Sequence, residues 1–313
     1  MKPRILLDTD LNTDCGDAGA IALLHALADL GEADIIGIGV SVSNPDSPRA
    51  LAAINRYYGR TDLPIGQYQG QPPIELHDGH PFVGAMSQMF TEIPAGGWPD
   101  TTALYRRALA AQPDQSVTVV AIGFHNTLQL LLDSPPDDIS PLPGIDLVRA
   151  RVKQLVVMGG QYPDSADIAF FHKGAEYNFY RCPVAARYVC ERWPSPIVFT
   201  GFELGNTIFA GRTLVEKTPP NNPVRVGYEV ARHPAGRHAW DETAILYGVR
   251  GSAHNGLKYF DEVHGTNHVN AENGANYFVE GPGSHRYLKK AMPDEAFSIL
   301  FDALQEKLPK KTS

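Results

Sequence analysis

A short apolar run, Ile5-Leu6-Leu7, is followed closely by four carboxylates, Asp8, Asp10, Asp14 and Asp17, and then at once by the apolar helix pattern Ala18-Gly19-Ala20-Ile21-Ala22-Leu23-Leu24. A buried strand that ends in acids and turns into a buried helix restricts the fold severely. Left unpaired, such acids repel one another and resist loss of water, so a cation, a ligand or solvent must accommodate those that converge. A hard divalent cation is the simplest candidate. Asp17 falls where the helix begins, and the helix dipole favours an anion there, so Asp10 and Asp17 can meet at the carboxyl end of the strand. Asx turns and helix caps use the same residue type, and spacing alone leaves both readings open.

The rest of the chain repeats this opening. Ile35 to Val40 is a continuous apolar run of the kind found in buried parallel strands, and it closes in the polar turn Ser41-Val42-Ser43-Asn44. Leu63 to Gly66, Val117 to Ile122, Leu155 to Met158 and Ile197 to Thr200 read as further strands. Helical patterns fall near 48–58, 100–111, after Asn126, and at 183–192, 223–232, 239–249 and 293–307. Asp241 opens the 239–249 pattern, where its plain role is an N-cap. The stretch from Tyr68 to Trp98, with its Pro, Gly and His, reads as a surface excursion, and long loops of this kind sometimes serve as lids. From Lys258 to Tyr277 the pattern weakens to short antiparallel strands. No repeat, linker or low-complexity segment divides residues 1–313. The expectation is one α/β domain: a mostly parallel, open, Rossmann-like sheet flanked by helices, with polar loops delivered to one edge, where such sheets bind ligands.

Composition limits the function classes. Of 313 residues, 43% are apolar and 20% charged, and the formal charge of -8 provides no basic field for a nucleic-acid polymer. Cys15, Cys182 and Cys190 are too few for a disulfide framework and lack zinc spacing, so they read as free thiols; Cys182 and Cys190 fit packing roles. There is no signal-like N-terminus and no run of membrane-spanning length, which leads to the expectation of a cytoplasmic protein with no membrane partner.

Taken together, the polar exits supply Asp10 and Asp17, Asn44, Asn126, Glu176 and Asn178, and Asp241. This set resembles the nucleoside hydrolase family, whose inosine- and uridine-preferring members carry an N-terminal acidic motif; Asp-Thr-Asp-Leu-Asn-Thr-Asp-Cys-Gly-Asp-Ala is similar to its longer version. The resemblance continues through Val42-Ser43-Asn44, Gly123-Phe124-His125-Asn126-Thr127, Val157-Met158-Gly159-Gly160, Ala175-Glu176-Tyr177-Asn178 and Trp240-Asp241. It implies the nucleoside hydrolase fold and a Ca²⁺ at the bottom of a pocket, held by the carboxylates of Asp10, Asp17 and Asp241 and the main-chain carbonyl of Asn126, with water and sugar hydroxyls completing the oxygen shell. It further implies hydrolysis of a nucleoside to base plus ribose, with Asp10 taking the proton of the attacking water. Glu176, Asn178 and Asn44 would then hydrogen-bond the sugar, and the assembly would be a homo-oligomer of two or four copies.

The sequence departs from the family pattern at two positions. Gly16 stands where a second, sugar-holding acid is usual, and Asp14 is the nearest residue able to compensate, with Asp8 behind it. Trp240 stands where many members carry a histidine that assists the departing base. Trp240 can stack on an aromatic base or simply pack, and His238, His125 and His172 are the remaining proton-donor candidates. Two other readings compete. Asp8-Thr9-Asp10 and Ile197-Val198-Phe199-Thr200 resemble motifs of haloacid-dehalogenase-type phosphatases, although Asn12 departs from that pattern. Gly16 and Trp240 also suit a non-catalytic nucleoside- or sugar-binding protein on the same fold.

Overall fold

The computed structural model describes residues 2–70, 81–162 and 174–310. Its centre is a nine-stranded sheet. Six strands come from the apolar runs: β1 (Arg4–Thr9), β2 (Asp34–Val40), β3 (Ile65–Gln67), β4 (Val117–Ala121), β5 (Val152–Met158) and β6 (Ile197–Thr200). They lie in the order β6-β5-β4-β1-β2-β3, all parallel. Beyond β6 the sheet continues with His285–Lys290, parallel to β6, and then Phe260–Val269 and Asn276–Glu280, both antiparallel to their neighbours.

The continuous apolar runs reflect burial on both faces. Successive side chains point to opposite sides of a strand, and here each side has its own core. Ile5, Leu7, Ile38, Val120, Val156 and Val198 belong to one core, and their neighbours Leu6, Val119, Leu155, Val157, Ile197 and Phe199 to the other. The first core is closed by helices that include Gly16–Asp29, Trp240–Arg250 and Asp294–Gln305, and the second by Thr101–Ala110, Asn126–Asp133, Gly144–Arg151 and Pro183–Arg192. This is the expected mostly parallel open sheet flanked by helices.

Three features differ from the sequence reading. His285–Lys290 is a strand inserted between β6 and Phe260–Val269, and its mixed burial and four basic or imidazole side chains hide it from any periodicity. The Gly144–Arg151 helix also gives little pattern of its own. Within the Tyr68–Trp98 stretch, Pro81–Ser87 is a helix that buries Phe82, Val83 and Met86 against the Asp46–Tyr57 and Pro223–Val230 helices. Residues 71–80 of that stretch lie outside the described residues, and none of its described residues lines the cavity at the sheet's carboxyl edge. Among the described residues, no helix is long and apolar enough to cross a membrane.

Candidate active site

The acidic loop begins where β1 stops. Asp10 is the first residue past Thr9, and its carboxylate accepts a hydrogen bond from Thr13 Oγ1 at 2.6 Å. The Thr9 hydroxyl donates to Asp17, in the first turn of the Gly16–Asp29 helix. Asp14 Oδ1 accepts from Gly16 N at 2.9 Å, which is the Asx-turn role. Asp14 thus shapes the turn, and with Asp10 and Asp17 it is carried to a cavity.

Other strand exits close around this loop. Gly123, after β4, approaches so closely that a Cβ there would lie 2.4 Å from Asp10 N and 2.7 Å from Ser41 Oγ, so no larger residue fits. After β5, Gly160 N donates to Glu176 Oε2 at 3.1 Å. Glu176 also caps the Tyr177–Arg181 helix, accepting from Asn178 N at 2.8 Å and Phe179 N at 3.1 Å. The side-chain amide of Asn178 donates to the carbonyls of Met158 and Ile122 at 3.1 and 3.3 Å, leaving Oδ1 as the atom it can offer. Asp241 arrives in the first turn of Trp240–Arg250.

The result is a cavity of about 470 Å³ at the carboxyl ends of β1, β4 and β5. Asp10, Asp14, Asp17, Glu176, Asn178, Trp240 and Asp241 all line it, although they are spread over most of the chain. Asn44 and Asn126 do not. Asn44 bridges Asn12 Oδ1 (2.7 Å) and the backbone of Asp46 (2.9 Å), and the Asn126 amide donates to the Ser41 carbonyl at 3.1 Å. Of the histidines, His238 lines the cavity, whereas His125 is fully buried with both ring nitrogens unpartnered, and burial lowers its pKa to about 4. His172 lies outside the described residues.

The electrostatics of the site are those of crowded acids. Burial lifts Asp10 to about 7, with Thr13 opposing and Asp14 adding to the rise. Burial, then the charges of Asp10 and Asp241, pushes Asp17 well above the usual carboxylate range. Asp241 is raised likewise by burial and by Glu242 and Asp10. Burial raises Glu176 to about 7 against the pull of its three backbone donors. Asp8 is different: it is buried beneath the loop, bonded to the Tyr105 and Thr127 hydroxyls, and absent from the cavity wall. That placement removes it as a nucleophile or a sugar-binding acid.

Two cavity residues were not legible from sequence. Arg237 makes an ion pair with Asp14, through Nε–Oδ2 at 2.8 Å and Nη2–Oδ2 at 2.5 Å, so the acid that could have compensated for Gly16 is held by a cation. Phe202 stacks on Trp240 with ring centroids 5.3 Å apart and accepts the indole N–H on its carbonyl at 3.0 Å. On Trp240 the His238 ring also stacks, at 4.8 Å, and the Arg237 guanidinium sits 5.1 Å from the ring. Trp240 is therefore a packed member of an aromatic wall. The sequence signal for Arg237 was indirect: four acids in one loop call for a counter-charge somewhere.

The same fold recurs in known proteins. The chain is similar to the inosine-uridine preferring nucleoside hydrolase from Bacillus anthracis (14% identity, TM-score 0.72, covering 98% of this chain and 99% of that one). It is similar also to an inosine-guanosine nucleoside hydrolase (17%, 0.70, 98% and 99%) and to the type III effector protein XopQ complexed with adenosine diphosphate ribose (15%, 0.70, 98% and 94%). No curated protein matches the chain by sequence. The model of the family described as inosine-uridine preferring nucleoside hydrolase matches residues 5–275. With Asp8 sealed under the loop, the phosphatase reading has no nucleophile, and the chain belongs to the inosine-uridine preferring nucleoside hydrolase family, enzymes that cleave the N-glycosidic bond of nucleosides.

Proposed function

We propose that this enzyme hydrolyses a ribonucleoside to free base and ribose by direct attack of water, with Asp10 as general base and Ca²⁺ as its metal. The observation that carries this reading is the meeting of Asp10, Asp17 and Asp241, from the start and the last third of the chain, at one cavity wall. Such acids fit a hard cation: each is buried, the charge of Asp10 raises the pKa of both Asp17 and Asp241, and the one Lys or Arg among the described lining residues is paired with Asp14. Among the described residues no three His, Cys, Asp or Glu side chains are gathered tightly enough to hold an ion by themselves. Water and substrate hydroxyls are the natural further donors, and the carbonyl of Asn126, outside the cavity wall, is the one the family resemblance adds. When bound, Ca²⁺ would supply the positive field that makes a water acidic enough to lose its proton near neutrality.

The chain's own residues account for the remaining steps. Asp10 lines the cavity with its carboxylate held by the Thr13 hydroxyl, which places it to accept the proton of an attacking water. Glu176 is locked by three backbone donors and Asn178 by two carbonyls, so both can meet sugar hydroxyls without reorganising. The negative charge of Glu176 favours the positive charge that grows on the ring as the glycosidic bond breaks. Asn44, outside the cavity wall, would contribute by bracing Asn12. No covalent intermediate is required. The test is reducing-sugar release from a panel of purine and pyrimidine nucleosides, before and after chelation. Release that chelation removes and Ca²⁺ restores is the expected result; release indifferent to chelation would overturn the metal assignment, and none at all would overturn the substrate class.

A further inference from the structure

The proposed reaction leaves one requirement unassigned. A nucleobase that departs with the electron pair of the C1′–N bond carries negative charge on its ring nitrogens and carbonyl oxygens, and some group must meet that charge. The cavity has two chemically distinct sides. Carboxylates and Asn178 form the side suited to sugar and metal, and Phe202, Trp240 and His238 form the side suited to a flat ring.

On the aromatic side stands Arg237. Nε and Nη2 are spent on Asp14, and among the described residues Nη1 has no hydrogen-bond partner. The guanidinium is fixed from two directions, by the carboxylate fork and by its position over the Trp240 ring. Its backbone is fixed as well: Arg237–His238 pairs with Phe209–Ala210, and the preceding Gly236 (φ +98) approaches the Ala210 carbonyl so closely that a Cβ would lie 2.7 Å from it. Ion pairing with Asp14 outweighs the effect of burial and raises the Arg237 pKa, so the group remains a donor at any working pH. The neighbouring imidazole is a poorer candidate: His238 lies against Phe209 and Trp240, and burial together with Arg237 lowers its pKa.

We propose that Arg237 is a catalytic residue: Nη1–H donates a hydrogen bond to the acceptor edge of the departing base and stabilises it as an anion. This rests on the hydrolase reading above. As the C1′–N bond breaks its electron pair passes to the base; the water oxygen bonds to C1′ and its proton goes to Asp10. Arg237 keeps its own protons, and the base anion then takes one from solvent water.

The test separates leaving groups. Uridine and inosine are compared with 4-nitrophenyl β-D-ribofuranoside, whose leaving group departs readily without a donor, using wild type, Arg237→Lys, Arg237→Gln, the double variant Asp14→Asn/Arg237→Gln and His238→Gln. The double variant avoids leaving Asp14 without its cation, and thermal melts show that each variant is folded. Loss of Arg237 is expected to lower kcat on nucleosides by about 100-fold and on the nitrophenyl riboside by less than about 3-fold. Across the nucleosides, the loss should grow as the base becomes a poorer leaving group. Equal loss on both substrate types, no loss, or the selective pattern appearing in His238→Gln instead would overturn the assignment. Wild type that cleaves the nitrophenyl riboside but no nucleoside would overturn it while leaving the glycosidase reading standing. Wild type that cleaves neither would remove both.

Discussion

At the scale of single residues, the site is defined by what each polar atom already holds. Asp10 accepts from the Thr13 hydroxyl and lies within hydrogen-bond reach of the Asp17 carboxyl, while its side chain lines the cavity. Asp10→Asn should lower kcat on the order of 10³-fold while leaving most Ca²⁺ affinity, measurable by steady-state kinetics beside calorimetric titration. Asp241→Ala should instead lose the metal, and ordinary turnover by Asp10→Asn would refute its role as base. Glu176 has the opposite character, since three backbone N–H groups depend on it. Glu176→Ala should therefore lower stability by about 1–2 kcal/mol, as a lost cap does, in addition to its kinetic effect, and a denaturant melt would show this. Asp10, Asp17 and Asp241 were legible in the sequence because buried acids beside apolar runs are physically conspicuous. Arg237 was not, because its only sequence context is a Pro, Gly and His turn, and its partner Asp14 is most of the chain away.

At the scale of elements, the strands that could be read are those buried on both faces, where the residues are mostly apolar. His285–Lys290 mixes buried and basic positions without a regular period, and its place beside β6 is decided by tertiary pairing that no local pattern reports. Some elements are joined by polar rather than apolar links. Arg106, 1% exposed on the Thr101–Ala110 helix, bonds Asp137 through two nitrogens at 2.8 and 2.7 Å, and also Ser134 Oγ and the carbonyls of Ser140 and Leu142. It fastens the whole connection between Asn126–Asp133 and Gly144–Arg151. Removing it deprives the Ser134, Ser140 and Leu142 acceptors of a donor, while the exposed Asp137 carboxylate meets water, so Arg106→Ala should cost about 1–3 kcal/mol. A urea midpoint close to wild type would show that the connection holds without it.

At the scale of the whole molecule, titration of the buried groups determines how stability depends on pH. Burial lowers His25 to about 3 and His125 and His285 to about 4, so below about 6.5 the unfolded chain takes up imidazole protons that the fold refuses. Burial raises Asp8, Asp10 and Glu176 to about 7 and Glu242 to about 8, so there the fold holds protons that the unfolded chain has already lost. The two effects oppose each other between about pH 4 and 6.5. Above about pH 6.5 the imidazole difference fades and the carboxyls dominate: the native state binds more protons, and stability falls as pH rises. Chelated protein should accordingly melt several degrees lower at pH 8 than at pH 6.5, and Ca²⁺ should shrink or reverse the gap. A chelated protein that gains stability over this interval would show that these acids are ionised before metal arrives.

The insertion of His285–Lys290 between β6 and Phe260–Val269 has a consequence for synthesis. A polypeptide emerging from the ribosome completes β1 to β6 first, yet the bonding edge of β6 remains bare until its neighbour, made more than 80 residues later, slots in beside it. Premature termination anywhere before residue 285 would thus expose an apolar strand margin, and such fragments should be recovered as aggregates rather than as smaller working enzymes.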